Sequence, residues 1–367
     1  MPNHPARRWA SARLEPDPAG GTPSPPSPLP REKGARLVAL AALAVTAGLA
    51  SLLAGCSGYE VLLTPTKVKV TPGFLITSPG EAVDYTLTLY TLVGIPVPSG
   101  DITAGWNVFA DPLPAEITPP AGERDPGVPG VIDNLGRFEA SPVVSPGTYR
   151  SGRIRAQVIS TFGVYTSAVY VAVDGNISLD APYADVYPKD LIVPPGAEVP
   201  FVPLQIERQS RRVANSQNVS WSVLLGPGTI DPDTGVYAAP AAGPPSDADR
   251  DVQVDAAFES GRRVAANLTL DTNPAGPLAA LGLVPNTRLK VGLGRRQVFM
   301  VFGVDRDGRY IQVTDADWFV EPDIGTVTPR GDGTAEFIAQ AAGEGVVSAV
   351  RTNLEARQAI VAVIPGA

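Results

Sequence analysis

The chain has 367 residues, 44% of them apolar and only 18% charged, a balance that suits folded domains and argues against a disordered chain. Its 39 prolines and 37 glycines sit poorly in helix interiors and point to strands joined by turns. Residues 1–55 hold six basic and three acidic side chains, which leaves 23 basic and 34 acidic ones after them, a formal charge of −11 that repels phosphate backbones and argues against nucleic acid as a partner.

His4 is the sole histidine and Cys56 the sole cysteine. Beyond Cys56 this excludes a Ser-His-Asp triad, a Cys-His dyad, any zinc site built on His or Cys, and an internal disulfide. Carboxylate-only chemistry such as glycoside hydrolysis needs two acids about 5–10 Å apart. No pair in the sequence is marked out by apolar or aromatic shielding, so no enzyme and no catalytic residue is expected.

Residues 1–30 are rich in Pro, Ala, Ser and Arg without periodicity and read as a disordered extension. Residues 31–55 have the three parts of a secretory signal: charge at Arg31–Arg36, an apolar run from Leu37 to Leu53, and small residues before Cys56. An uncleaved transmembrane helix is the competing reading, although 17 residues is at the short end for a span. The ending Leu53-Ala54-Gly55-Cys56 resembles the lipobox of bacterial lipoproteins. That resemblance implies cleavage before Cys56, diacylglycerol on its sulfur and an acylated new amino end. A covalent lipid is thus the only expected prosthetic group, and the membrane the expected partner through it. By the same resemblance Ser57, where an Asp often retains lipoproteins at the inner membrane, favours the outer membrane or cell surface. Residues 56–60 are then the linker to the first folded domain.

Trp106, Trp221 and Trp318 lie 115 and 97 residues apart, which is domain-sized, and their contexts repeat. The middle copy reads Val219-Ser-Trp221-Ser-Val223, then Gly228-Thr-Ile230-Asp231, Thr234-Gly235-Val-Tyr237 and Pro240. The first reads Trp106-Asn-Val108, then Ile132-Asp133, Gly136-Arg-Phe138 and Pro142. The last reads Trp318-Phe-Val320, then Ile324-Gly-Thr-Val327 and Phe337, without the closing proline. Val219, Trp221 and Val223 alternate with serines, the period of a strand with one dry face. Val83–Leu89 and Val264–Leu270 alternate likewise. Gly136 and Gly235 fall where a tight turn needs positive φ.

These motifs resemble the bacterial immunoglobulin-like domain family, closely in the middle copy and in part in the others. The resemblance implies seven-stranded Greek-key sandwiches of the kind found in stalks, adhesins and accessory parts of secreted enzymes. The expected fold is therefore all-β: three tandem immunoglobulin-like β-sandwiches over residues 61–175, 176–272 and 273–367, following a disordered N-terminus and an apolar signal helix. Each tryptophan is expected to plug a core, with a sugar-stacking platform as the alternative.

Four stretches bear on binding. The stretch Asp111–Gly130 reads as a strand-free loop dense in proline and acid, either functional or slack. The Pro/Asp-rich stretch Ala241–Asp251 reads as an ordinary loop. Asp305-Arg-Asp307-Gly308 begins like a calcium loop but lacks the distal ligands. A hairpin turn is the better reading there, with Asp305 and Asp307 as weak calcium candidates. Arg330-Gly331-Asp332 matches a cell-attachment tripeptide and equally any exposed turn. The expected function is a lipid-anchored envelope protein whose domains bind or adhere to a protein or glycan. The alternative is a structural spacer or an accessory subunit of an envelope complex.

Overall fold

The computed structural model describes residues 65–91, 96–97, 104–160, 163–214, 218–246 and 250–362. The N-terminal extension, the apolar run and Cys56 lie outside them. Every named element among the described residues is a β-strand, as the density of Gly, Pro and alternating runs requires.

The strands form three sandwiches on one plan. The first contains β1 (Pro65–Thr71), β2 (Phe74–Thr77), β3 (Ala82–Asp84), β4 (Thr86–Thr91), β5 (Pro96–Val97) and β6 (Ala104–Phe109). It continues with β7 (Glu123–Asp125), β8 (Gly130–Ile132), β9 (Arg137–Ala140), β10 (Thr148–Ser160) and β11 (Gly163–Asp174). One layer is made by β1-β4-β5 and β3-β9-β8, the other by β2-β11-β10-β6, with β7 also on β10.

The second sandwich runs β12 (Tyr183–Tyr187), β13 (Asp190–Val193), β14 (Glu198–Pro200), β15 (Val202–Ile206) and β16 (Val219–Leu225). After these come β17 (Thr229–Ile230), β18 (Val236–Ala238), β19 (Asp251–Phe258) and β20 (Arg263–Leu270). Its layers are β12-β15 with β14-β18-β17, and β13-β20-β19-β16.

The third sandwich contains β21 (Ala280–Val284), β22 (Leu289–Val291), β23 (Arg296–Val304), β24 (Tyr310–Gln312) and β25 (Asp317–Glu321). It closes with β26 (Gly325–Pro329), β27 (Thr334–Ala339), β28 (Gly343–Arg351) and β29 (Leu354–Ala362). Here the layers are β21-β23-β27-β26, with β24 on β23, and β22-β29-β28-β25. In all three the second strand (β2, β13, β22) runs parallel to the last (β11, β20, β29), and every other pairing within the layers is antiparallel except β7 on β10. This is the immunoglobulin-like arrangement, three times over.

The residue at the centre of each core is the aromatic of the strand after the turn. Phe138, Tyr237 and Phe337 are all fully buried. Each ring packs against a glycine, Gly130, Gly228 and Gly325, where an added Cβ would come within 2.7, 2.6 and 2.7 Å of a ring carbon. The tryptophans divide differently from expectation. Trp221 is 5% exposed, with Phe201 at 5.8 Å and the Gly235 turn packed on it. Trp106 and Trp318 are only half-buried against the core. They stand on β6 and β25, outer strands of their sheets as β16 is, and among the described residues no aromatic ring pairs with either as Phe201 does with Trp221. Gly136 at φ +86° carries the Trp106 ring, but the third copy has no such glycine under its indole.

The first two sandwiches are not separate beads. Phe74–Thr77 of β2 pairs in parallel with Tyr170–Val173 of β11. On its other side Phe74–Ile76 pairs antiparallel with Arg263–Ala265 of β20. Strand β13 occupies only the second half of the β20 edge, at Asn267–Leu270. Strand β2 takes the first half, and one sheet runs β16-β19-β20-β2-β11-β10-β6 through both sandwiches. Such pairing satisfies an edge that would otherwise present bare N–H and C=O groups.

Candidate functional site

The seam at β2 is where the described residues concentrate buried charge and where the Asp111–Gly130 stretch acts. That stretch is not strand-free. Its segment β7 lies parallel to Thr148–Arg150 of β10, with Arg150 holding Asp125 at 2.7 Å. Upstream of β7, Ile117 is buried on Phe74, Ile76, Ala172, Ile177 and Ala265, with Leu113 beside it. Arg263 donates to the Thr118 carbonyl at 3.1 Å and lies 5.5 Å from the centre of the Phe74 ring. The insertion is a strap across the seam, and its apolar residues explain themselves by the apolar face they cover.

Two ionic clusters close the ends of the seam with opposite polarity. At one end the first sandwich supplies the acid. Glu81, 3% exposed, pairs with buried Arg262 and, at 3.0 Å, with Arg208; the Thr77 and Ser78 hydroxyls donate to the same carboxylate. Burial drives the Glu81 carboxyl up, but the Arg262 charge, the Thr77 hydroxyl and Arg208 outweigh it and hold it below the ordinary glutamate value. At the other end the first sandwich supplies the cations. Lys69, 7% exposed, donates to the Leu268 carbonyl at 3.0 Å and to Thr269, and lies 3.2 Å from Asp251 and 4.0 Å from Asp190. Lys67 also pairs with Asp251, and the Tyr90 hydroxyl donates to Asp190. Burial pulls the Lys69 ammonium below its usual value despite both acids, and lifts the Asp190 carboxyl despite Lys69 and Tyr90. Between the two clusters Asn267 donates to the Val70 carbonyl at 3.0 Å and the Thr71 hydroxyl at 3.1 Å. The strand β20 is accordingly buried on both faces, where alternation had promised one dry face.

The second joint is held by side chains, including the Arg295–Glu207 pair at 3.7 Å, and by the isolated parallel bridge of Ile192 with Arg309. Arg309 donates to Asp271 at 2.6 Å and Asp305 at 3.1 Å, and the Val213 amide donates to the Lys290 carbonyl at 2.8 Å. Asp305 and Asp307 lie in the turn between β23 and β24. The Asp305 carboxylate already accepts from the amides of Gly276, Asp307 and Arg309, and Asp307 pairs with the Arg309 guanidinium. Among the described residues no group of three or more His, Cys, Asp or Glu side chains is placed to hold a metal ion. Arg330 and Asp332 are likewise engaged locally, Arg330 with Glu336 at 2.6 Å and Asp332 with the Thr334 amide at 2.8 Å. Beside them a cleft of about 740 Å³ opens between the second and third sandwiches, lined by Phe201, Asn218, Trp221, Asp233, Arg296 and Arg330.

No protein-family model and no curated protein matches the chain. Solved structures of multi-domain proteins do align with it. The S-layer protein rSbsC(31–844) aligns at 14% identity over 83% of this chain and 41% of its own, with a TM-score of 0.23. Domains 4–9 of surface layer protein SbsC give 12% identity, 82% and 48% coverage and a TM-score of 0.30. The N-terminal eight Ig domains of Down Syndrome Cell Adhesion Molecule give 11%, 81%, 40% and 0.20. The chain thus spans about two fifths of the length of the first of these. TM-scores of this size carry no argument about function.

Of the residues singled out in the sequence, Trp106, Trp221 and Trp318 fall in three different sandwiches, Asp305 lies at the second joint beside Arg309, and Cys56 lies outside the described residues. Lys69, Glu81, Arg262 and Ile117 carry the seam without any motif to announce them. One trace exists: Phe74-Leu75-Ile76 is an unbroken apolar run, the mark of a strand buried on both faces.

Proposed function

We propose that the chain is an exported, lipid-anchored protein of the bacterial envelope that serves as a structural spacer. Its first two sandwiches form a stiff base next to the membrane, and the third is presented beyond them. The carrying observation is the seam, where a shared sheet, a strap and two ion clusters fix one sandwich against the next. A joint built this way suits a part that must hold distance and orientation. The Cys56 lipid supplies the attachment, and a second acyl chain makes such attachment stable. Labelled palmitate should enter the wild type and not Cys56→Ala, which should leave the membrane fraction; label persisting in that variant overturns the anchor.

The cleft beside Trp221 supports a second reading, a binding or adhesion module for a protein or glycan, because its volume lies in the range of ligand sites. Affinity purification from detergent-solubilised envelopes separates the two. A spacer keeps its co-purifying proteins when Asn218 and Arg330 are both changed to Ala. A binding module that uses the cleft loses one.

A further inference from the structure

The cation end of the seam sets one amine of the first sandwich against two acids of the second. Lys69 stands on β1, Asp190 begins β13 and Asp251 begins β19. The Lys69 Nζ lies 4.0 Å from Asp190 Oδ1 and 3.2 Å from Asp251 Oδ1, and both oxygens are buried without a hydrogen-bond partner among the described residues. The nitrogen donates elsewhere, to the Leu268 carbonyl and the Thr269 hydroxyl. Two acceptors match the two hydrogens of a neutral amine and leave its lone pair for the carboxyls. Burial favours that form, because it lowers the Lys69 ammonium and lifts the Asp190 carboxyl from their ordinary values.

The two acids differ in kind. Burial raises the Asp251 carboxyl, but Lys69 and Lys67 outweigh it and hold it below the ordinary aspartate value, as a carboxylate. Asp190 has no second lysine. Instead the Tyr90 hydroxyl donates to its Oδ2, which prepares that oxygen to carry negative charge. A groove of about 190 Å³ lined by Lys67, Lys69, Asp251 and Asn267 opens beside the amine and gives a small product a way out.

We propose that Lys69 and Asp190 condense to an amide that ties the first sandwich covalently to the second. The Nζ lone pair attacks Cγ of the Asp190 acid, the C–N bond forms, and the carbonyl electron pair moves onto Oδ2 beside Tyr90. Asp251 takes a proton from the nitrogen and passes it to the Oδ1 hydroxyl. The pair on Oδ2 returns, the C–Oδ1 bond breaks and water leaves, with Asp251 again a carboxylate and nothing oxidised or reduced. An amine and an acid do not condense in dilute water, but groups held in reacting geometry act at effective concentrations of about 10⁵–10⁸ M. The amide closes a long loop in a chain whose sole cysteine, Cys56, rules out an internal disulfide. It needs the folded seam, and neither a lipid on Cys56 nor a ligand.

The test is a tryptic peptide map of the full chain. The wild type should give one branched peptide joining Lys69 to Asp190, one water lighter than its two arms together, with the bond after Lys69 uncut. Lys69→Arg and Asp190→Ala should each give linear peptides only. Asp251→Asn keeps both reacting groups and removes the base, so most of its branched peptide should be lost. Linear peptides alone from the wild type overturn the bond, as does a branch at Asp251 in place of Asp190. A branch undiminished in Asp251→Asn overturns the role of that acid. Should a variant fail to fold, the wild-type map still decides.

Discussion

Phe138, Tyr237 and Phe337 occupy one position in three sandwiches, and the glycine facing each is as necessary as the ring. A ring packed onto backbone leaves no void, so truncation removes both apolar contact and its support. Phe337→Ala should cost about 3–5 kcal/mol in urea unfolding of the third sandwich, and Trp318→Ala, from a half-buried site, less than about 2 kcal/mol. Gly325→Ala should cost about 1–3 kcal/mol by driving a Cβ into the Ile338 carbonyl and onto the Phe337 ring. Equal losses for Phe337→Ala and Trp318→Ala would return the indole to the centre of the core. Glu81 gives the pH dependence. Its folded-state pKa lies below its ordinary value, so its pairing stabilises the fold above that value and the gain is lost as pH falls through the folded one. Asp251 and Asp271 are shifted in the same direction, whereas Asp190 is shifted the other way and offsets part of the effect. Stability should therefore be nearly flat from about pH 7 to 5 and fall below about pH 4. Glu81→Gln leaves Arg262 uncompensated. It should cost about 3–5 kcal/mol at neutral pH and flatten the acid limb. An acid limb unchanged by the substitution would show that Glu81 has no part in it.

At the scale of elements, strands and turns are legible in the sequence because their signals are local. Period-two runs such as Val219–Val223 and glycines at positive φ such as Gly235 depend only on near neighbours. The seam is not legible, because β2 meets partners roughly a hundred and two hundred residues away and nothing near Phe74 records which strands they are. The strap misleads for a related reason. Its prolines and acids mark a loop, while the residues that decide its role, Ile117 with Leu113 beside it, are isolated apolar side chains among them. Replacing Ile117 by Asp should therefore expose the face it covers. Amide exchange at Phe74–Ile76 and Arg263–Ala265 should accelerate by the equivalent of about 2–4 kcal/mol, while Val131→Asp, at an exposed site, leaves it alone. Unaltered protection in the Ile117 variant would return the stretch to the status of a passive loop.

The two joints differ in kind, and that difference sets how the whole molecule should unfold. At the first, strand β2 belongs to two sandwiches at once, so neither can open without breaking the other's ladder. At the second, Arg309 with its acids, the Arg295–Glu207 pair, the Val213–Lys290 amide–carbonyl bond and the isolated Ile192–Arg309 bridge join parts whose sheets remain distinct. Cooperativity follows shared structure, since a unit melts alone only where its loss leaves its neighbour's contacts intact. The three sandwiches should accordingly give two calorimetric transitions. One is larger, about 140 kcal/mol for the segment Pro65–Leu270, and the other about 60 kcal/mol for Ala280–Ala362, from the usual enthalpy per residue near 60 °C. Arg309→Ala should move the smaller transition down and leave the larger one in place, because the side chain serves the second joint only. Three transitions of similar size would mean that β2 exchanges freely between its partners, and the stiff base on which the spacer reading depends would be gone.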